Sequence, residues 1–191
     1  RNSDCLISID TYKSAVAKAA LNTGADLVND ISGLTFDTEM TSLVAERNVP
    51  VILMHIKGTP RDMQKNPSYD DLISEICQFF KDQISSAKES GVKPENIILD
   101  PGIGFGKCLE DNFEIIRELG QICTMGYPVL LGLSRKSFIG MTLDLPVKER
   151  LEGTLASITA GIMNGARIVR VHDIVETRRA VTITEKIIGQ N

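Results

Sequence analysis

A stretch with one carboxylate, three glycines and a lysine is the part of this sequence best suited to chemistry: Asp100-Pro101-Gly102-Ile103-Gly104-Phe105-Gly106-Lys107. It follows the apolar run 97–99, so the carboxylate stands where a predicted strand ends and a loop begins. Glycine adopts backbone conformations that other residues avoid and lets the backbone approach a ligand closely. The glycine spacing matches neither a P-loop nor a dinucleotide-binding fingerprint. The stretch therefore indicates either a ligand site or an ordinary strand-to-helix turn.

Short apolar runs alternate with amphipathic segments along the chain, which predicts a parallel sheet with right-handed crossovers. The periodicity predicts helices over 14–23, near 40–44, from a capping box at 68–71 to Gly91, over 113–119, over 147–164, and from a cap at Asp173 to Gly189. It predicts six strands, over 6–9, 27–28, 51–54, 97–99, 128–134 and 168–171.

Polar groups follow every predicted strand: Asp10, Asn29-Asp30, His55, Asp100, the segment 134–136 and the segment 170–173. An open doubly wound sheet places its site at one switch point, whereas a (β/α)8 barrel gathers residues from many strand ends into one ring. The spread favours the barrel. A complete barrel takes about 250 residues, so six units would take roughly 190. The 191 residues of this chain fit three quarters of a TIM-type α/β barrel in one domain.

Composition narrows the functional classes. A net charge of −4 favours neither a nucleic acid nor an anionic membrane as partner. We find no signal peptide, no apolar run of membrane length, and no metal-ligand spacing among the four cysteines and two histidines. Cysteines without a C-x-x-C pair favour a reducing compartment. We therefore expect a cytoplasmic location and assign no metal ligand.

Six motifs in order along the chain resemble the dihydropteroate synthase family. They are Ile9-Asp10-Thr11, Asn29-Asp30-Ile31, Met54-His55, the glycine stretch 100–107, Ser134-Arg135-Lys136-Ser137 and Arg170-Val171-His172-Asp173. The resemblance implies a folate-biosynthesis transferase that condenses 6-hydroxymethyl-7,8-dihydropterin diphosphate with para-aminobenzoate and releases pyrophosphate. It also implies a sulfonamide target and a homodimer formed through outer helices.

The resemblance also exposes a difference from the family. In the family two βα units, carrying Asn-x-Thr-Pro-Asp-Ser-Phe and Thr-Arg-Pro motifs, precede the position of Leu6, and this sequence lacks both. We therefore expect residues 1–191 to form a pterin-binding barrel domain with only the last six βα units, strands 3 to 8. The resemblance implies Mg²⁺ as cofactor, with its asparagine ligand in the missing portion.

A reduced pterin presents a flat, guanidine-like edge with adjacent N–H donors, which an ionised carboxylate accepts in pairs. Asp100 suits that role, and Asn29 supplies both a donor and an acceptor, although an asparagine there could also form a turn. The resemblance places both on the pterin. Met54 and Phe105 are predicted either as apolar walls of the site or as core. His55, of opposite strand parity to Met54, is predicted to be structural.

Asp10 has two interpretations. It could cap the following helix. As part of the set, its carboxylate could stabilise the positive charge that spreads over the dihydropterin methylene when the bond to diphosphate breaks in an SN1-like step. The resemblance supports the second role and makes Asp10 a catalytic residue.

Arg170 and His172 are two positions apart on one predicted strand and so face the same side. An arginine can stack on a pterin while donating to phosphate, and a histidine N–H can donate to the leaving diphosphate; a buried structural histidine is the alternative. By resemblance, Lys136 contacts the pterin carbonyl edge and Ser137 receives the aminobenzoate carboxylate, so Lys136 and Arg170 join Asp10 as predicted catalytic residues. Lysine is otherwise most often a surface residue. Gly132 leaves room for a flat ligand.

Two other functions stay open. A pterin-dependent methyltransferase that serves a corrinoid protein shares the barrel and the pterin cradle, but needs neither the Arg170-His172 pair nor Ser137. A catalytically incomplete pterin-binding fragment is the second alternative, because an incomplete barrel leaves two sheet edges unpaired.

Overall fold

The computed structural model of the protein describes residues 5–189. Within that range there are six strands and eight α-helices, and each strand is followed by one or two helices. The strands are β1 (Ser8–Asp10), β2 (Leu27–Asp30), β3 (Val51–Met54), β4 (Ile97–Asp100), β5 (Leu130–Leu131) and β6 (Ile168–Val169). The helices are α1 (Ser14–Asn22), α2 (Glu39–Arg47), α3 (Leu72–Glu89), α4 (Leu109–Arg117), α5 (Leu119–Cys123), α6 (Ser137–Leu143), α7 (Leu151–Met163) and α8 (Ile174–Ile187), with 3₁₀ turns at Pro94–Asn96 and Val147–Glu149.

The strands are parallel and lie side by side in chain order. Strands β1 to β4 form one sheet in that order, and β5 pairs with β6. A bridge between Leu99 and Val129 joins the two sheets, supported by a 2.9 Å hydrogen bond from Leu99 N to the Pro128 carbonyl. Sequential parallel order without a reversal is the order of a (β/α)8-type barrel, since a doubly wound sheet reverses at its switch point. The polar strand ends therefore meet at one edge.

Burial on both faces of the sheet explains why the inner strands β3 and β4 begin as short apolar runs, whereas β1 is largely exposed and β6 is half-buried. All four residues of β3 are buried, as expected for a parallel strand covered on one side by helices and on the other by the barrel interior. Helix α3 is amphipathic and packs one face on the core, and its buried residues recur every three or four positions. Its buried residues are Leu72, Ile73, Ile76, Phe80, Ile84 and Ala87.

Two predicted helix caps are wrong. The helix expected to begin with a capping box at Ser68 begins at Leu72 instead, and the Asp71 side chain accepts from Ser74 N at 3.0 Å. The hydroxyl of Tyr69 donates to the Gly106 carbonyl at 2.6 Å, which holds residues 68–70 against the glycine loop and outside the helix. Asp173 is the N-cap residue of α8, as predicted, but its side chain makes no capping hydrogen bond, because its carboxylate binds Arg135.

The part of the chain from β5 to β6 also differs from the prediction. Helix α6 was not predicted, because a seven-residue helix is too short to display a clear period. The helix predicted over 147–164 begins as a 3₁₀ turn and is α-helical from Leu151 to Met163. Strands β5 and β6 are two residues each, shorter than the predicted 128–134 and 168–171. None of the helices in the described range is both long enough and apolar enough to cross a membrane.

Candidate active site

The end of β4 holds Asp100 in a buried, fixed position. Its side chain is 1% exposed, and Oδ1 accepts from the Gly102 N–H at 2.8 Å. Gly102 has φ +70°, and a Cβ there would stand 2.0 Å from the His55 carbonyl oxygen. Only glycine permits both this conformation and this close approach to the end of β3. The glycine loop therefore fixes one carboxylate oxygen and leaves the other, Oδ2, for a further partner.

That further partner is Arg170, whose guanidinium joins three strand ends. Nη2 donates to Asp100 Oδ2 at 3.1 Å, and Nη1 donates to Asn29 Oδ1 at 3.2 Å. The Arg170 side chain is 39% exposed, whereas the carboxylate it contacts is almost fully buried. Gly132 makes room for this arrangement, since a Cβ at that position would lie 2.8 Å from Arg170 Nη2. The structure thus brings together four of the predicted site residues.

Asn29 offers a donor that nothing in the described chain uses. The residue is 2% exposed, and its Oδ1 is occupied by Arg170, but its Nδ2 is buried without a hydrogen-bond partner. An unsatisfied buried amide N–H costs about 1–3 kcal/mol. Such a group is typical of a position where a ligand supplies the acceptor.

Asp10 lies beside this group. In the sheet register it is paired with Asn29, and the Thr11 N–H donates to the Asn29 carbonyl at 3.0 Å. The Asp10 side chain is exposed and makes no hydrogen bond within residues 5–189. Helix α1 has Lys13 at its N-cap, so the alternative interpretation of Asp10 as a helix cap is wrong.

A small cavity of about 140 Å³ collects the residues that follow β5 and β6. Gly132, Ser134, Lys136, Arg170, Val171 and His172 line it. His172 is exposed, and its Nδ1 lies 2.9 Å from Ser134 Oγ, so the alternative of a buried core histidine is wrong. The cavity thus presents two cationic side chains and an imidazole, a set suited to an anion.

Lys136 stands between this cavity and the glycine loop. Its ammonium donates to the Ile103 carbonyl and lies 4.7 Å from the centre of the Phe105 ring. Burial lowers the pKa of Lys136 to about 8, although the Asp100 carboxylate opposes that shift. Phe105 itself is half-buried, beside the lysine. The two side chains form one wall of the site.

Ser137 and Met54 lie apart from the small cavity. Ser137 is exposed at the first residue of α6 and lines a second cavity of about 490 Å³, between α6, the start of α4 and the segment 64–68. Met54 has no exposed surface and is paired with Asp100 in the register of β3 and β4. Its Cγ would lie 3.4 Å from a Cβ at Gly102, so Met54 packs beneath the glycine loop as core.

Arg135, for which the sequence predicted no role, connects two loops of the site. Its Nε donates to Asp173 Oδ2 at 2.9 Å and its Nη2 to Oδ1, a two-point ion pair between the loops after β5 and β6. Its backbone, at φ +57°, is held by Thr154 Oγ1 at 3.0 Å and by Arg150 Nη1 at 3.0 Å. These contacts set the path of the chain into Lys136.

Lys107 is the residue whose environment the sequence did not predict. It is 4% exposed, and its ammonium lies 2.9 Å from His55 Nδ1 and 3.0 Å from the Phe105 carbonyl. Burial lowers the pKa of Lys107 to about 7, opposed by Asp100, and burial together with Lys107 lowers the pKa of His55 to about 3. The imidazole is therefore neutral near pH 7. The sequence feature that could have indicated this contact is the position of Lys107 directly after the last glycine of the loop.

The described residues do not form a metal site. Across residues 5–189 no group of three or more histidine, cysteine, aspartate or glutamate side chains could hold an ion. Asp10 and Asp100, the carboxylates at the site, belong to different contacts and do not form such a group. The side chains of residues 5–189 therefore do not form a magnesium site by themselves.

A model of the family described as "Pterin binding enzyme" matches residues 1–172. A curated relative from Synechocystis, named dihydropteroate synthase, is 52% identical over 172 residues, which cover 90% of this chain and 60% of that protein. The structure of a Yersinia pestis dihydropteroate synthase with a sulfonamide drug complex is 38% identical, with a TM-score of 0.96 over 98% of this chain and 68% of that one. The Thermus thermophilus enzyme in complex with 4-aminobenzoate is 38% identical, with a TM-score of 0.91 over 95% and 70% of the two chains.

Two facts follow from these similarities. The structural likeness confirms the predicted barrel-type α/β fold. The chain spans 60% of the length of the Synechocystis relative, so those relatives contain a further segment that has no counterpart here.

Proposed function

This chain belongs to the pterin-binding enzyme family, as its motifs predict, and from that premise we propose that it carries the pterin and diphosphate sites of a dihydropteroate synthase. In that reaction 6-hydroxymethyl-7,8-dihydropterin diphosphate and para-aminobenzoate form dihydropteroate and pyrophosphate. We take residues 1–191 as the six-unit part of the barrel, strands 3 to 8. The full activity then depends on the two βα units that its relatives contain. A cytoplasmic homodimer with Mg²⁺ as cofactor belongs to the same proposal.

The proposal rests on the two hydrogen bonds by which Asp100 and Asn29 bind the Arg170 guanidinium. A single planar fork bridges Asp100 Oδ2 and Asn29 Oδ1. The 2-amino-4-oxo edge of a pterin presents the same planar arrangement of neighbouring N–H donors, so the two acceptors that hold Arg170 also fit the pterin. The unused Nδ2 of Asn29 supplies a donor for a ring nitrogen of the same ligand.

The small cavity lined by Lys136, Arg170 and His172 is the proposed binding site of the diphosphate. Arg170 and His172 lie after the last strand, where barrels of this type commonly bind phosphate. The bond from the pterin methylene carbon to the diphosphate oxygen breaks, and pyrophosphate leaves with the electron pair. Positive charge then spreads over the dihydropterin. Asp10, beside Asn29 in the register, supplies a negative charge next to the pterin that stabilises it.

The amine side lies between Lys136, Phe105 and Ser137. The aromatic amine nitrogen forms the new C–N bond at the methylene carbon and then loses a proton. Phe105 and the aliphatic part of Lys136 provide a surface for the benzoate ring, and Ser137 at the start of α6 donates to its carboxylate. The protein acts here through placement of the two substrates more than through a strong nucleophile.

The test is a titration of the chain with the pterin diphosphate, followed by labelled para-aminobenzoate. Asp100→Asn should weaken pterin binding about tenfold to hundredfold, because the loss of a hydrogen bond to a charged group costs about 1.5–3 kcal/mol. Gly102 N–H holds the remaining oxygen, so the new amide would point its own N–H groups at the donors of the ligand. Asp82→Asn, the same charge change on helix α3, is the control and should bind as the wild type does.

Each outcome separates the alternatives. Labelled dihydropteroate means a synthase. Binding without product means that the pterin and diphosphate sites are present and that catalysis needs the further units. Pterin affinity that ignores the diphosphate favours the corrinoid-linked methyltransferase. If Asp100→Asn binds the pterin as tightly as Asp82→Asn does, the assignment of the pterin site is wrong.

A further inference from the structure

Arg170 occupies the two acceptors that the proposed pterin needs. We propose that Arg170 competes with the pterin ring for Asp100 and Asn29, and that the diphosphate of the substrate removes this competition by giving the guanidinium another partner. Arg170 would thereby determine specificity for the diphosphate over a pterin without phosphate. This inference rests on the proposed function and adds a coupling between its two subsites.

The competition follows from the geometry of Asp100. One oxygen of this carboxylate accepts the Gly102 N–H, and the other accepts Arg170 Nη2 at 3.1 Å. With 1% of the residue exposed, no solvent-facing surface remains for an additional ligand to approach alongside the guanidinium. The second acceptor, Asn29 Oδ1, is bound to the same fork. A pterin can therefore pair with both groups only after Arg170 has moved away.

The contact is stable enough to matter. A buried carboxylate without a partner is costly, so Asp100 favours a state in which a cation or several donors contact it. The other cations near it are engaged elsewhere: Lys136 donates to the Ile103 carbonyl and Lys107 contacts His55. Arg170 is thus the cation that pairs with Asp100. Either it or the pterin N–H groups can satisfy the carboxylate, but not both.

The contact is also able to break. Arg170 is 39% exposed, and it lines the small cavity together with His172, where we place the diphosphate. A guanidinium pairs with phosphate through two parallel hydrogen bonds, which replace those it gives up at Asp100 and Asn29. A pterin without phosphate must displace the arginine without offering such a replacement. The apparent affinity of the ring is then its intrinsic affinity multiplied by the fraction of molecules in which Arg170 has moved away.

The experiment measures binding of 6-methylpterin to the wild-type chain with and without saturating inorganic pyrophosphate, by pterin fluorescence or calorimetry. If Arg170 covers the pterin acceptors in nine molecules of ten, pyrophosphate should tighten 6-methylpterin binding by up to about tenfold. The reverse titration should give the same factor, because coupling between two sites is reciprocal.

Three variants separate this coupling from a plain phosphate contact. Arg170→Met removes the competitor, so pyrophosphate should no longer tighten 6-methylpterin. His172→Asn changes a residue of the same cavity that does not contact Asp100, and should weaken pyrophosphate while preserving the tightening at saturation. Arg117→Met, on the exposed face of α4, should behave as the wild type does.

The wild-type measurement decides the question even if Arg170→Met does not fold. A 6-methylpterin affinity that pyrophosphate leaves unchanged or weakens overturns the inference while the pterin site itself stands. So does a tightening that persists in folded Arg170→Met. If 6-methylpterin binds none of these proteins, the proposed function fails and takes the inference with it.

Discussion

Replacing Gly102 with alanine should lower both the stability of the protein and the affinity of the site for a pterin. Gly102 has φ +70°, and its added Cβ would lie 2.0 Å from the His55 carbonyl oxygen and 3.1 Å from the carbonyl carbon. Both are backbone atoms at the end of β3 and cannot rotate away. The loop must therefore move off β3, and with it the Gly102 N–H that binds Asp100.

The magnitude has two parts. The left-handed backbone costs alanine about 1 kcal/mol relative to glycine. Loss of the hydrogen bond to the buried Asp100 carboxylate costs a further 1.5–3 kcal/mol, roughly, for a charged acceptor. We therefore expect Gly102→Ala to lose about 3 kcal/mol or more of unfolding free energy and to lose pterin affinity as well, since Asp100 no longer has a fixed oxygen.

Gly126→Ala is the matched control. Gly126 has φ +84° but nothing within 4 Å of an added Cβ, so this variant pays the backbone cost alone, about 1 kcal/mol. Urea unfolding of the three proteins and pterin titration give both readouts. Equal losses of stability in Gly102→Ala and Gly126→Ala, with pterin binding intact in both, would refute the argument from close approach.

Two further predictions concern residues outside the proposed contacts with substrate. Burial lowers the pKa of Lys107 from 10.5 to about 7, so between those pH values the unfolded chain binds more protons and the stability of the wild type rises with pH. In urea unfolding at pH 7 and pH 10, Lys107→Met should show a smaller rise than the wild type, with the remainder due to Lys136, whose pKa is also lowered, to about 8. The surface variant Lys88→Met should keep the full rise, whereas parallel pH curves for wild type and Lys107→Met would contradict the prediction. Arg135→Gln breaks the two-point ion pair with Asp173 and loosens the segment that leads into Lys136. The affinity for para-aminobenzoate should therefore fall severalfold, while the affinity for 6-methylpterin stays unchanged. An equal loss of affinity for both ligands would mean that the ion pair only stabilises the fold.

Local pattern was sufficient for the strands and for the identity of the polar groups at their ends. Four-residue apolar runs such as Val51–Met54 become buried parallel strands because no other arrangement hides their side chains on both faces. The loop formed by residues 100–107 was also predictable from the sequence, because its backbone conformations and close contacts exclude residues other than glycine. Helix α6 was not predicted, because seven residues are too few for a clear period, and β5 was predicted with bounds wider than its two residues.

The start predicted for α3 and the side-chain cap predicted for α8 failed because of contacts with distant parts of the chain. Ser68 and Asp71 both have side chains that can cap a helix, and local sequence does not rank them. The choice falls to Asp71 because Tyr69 is held by the Gly106 carbonyl, a contact 37 positions away in the chain. Asp173 likewise has a capping side chain but is taken by Arg135, 38 positions away.

The sequence by itself determined which groups stand at the mouth of the barrel, because a strand that must be buried ends where its apolar run ends. Only the tertiary structure decided which of those groups meet. Arg170 contacts Asn29 across 141 positions and Asp100 across 70, and Lys107 contacts His55 across 52. Lysine and arginine are usually solvated, so nothing in their own neighbourhood predicts burial. Their partners are set by the curvature of the sheet, which places distant strand ends within hydrogen-bonding distance, and that curvature is a property of the packed strands together.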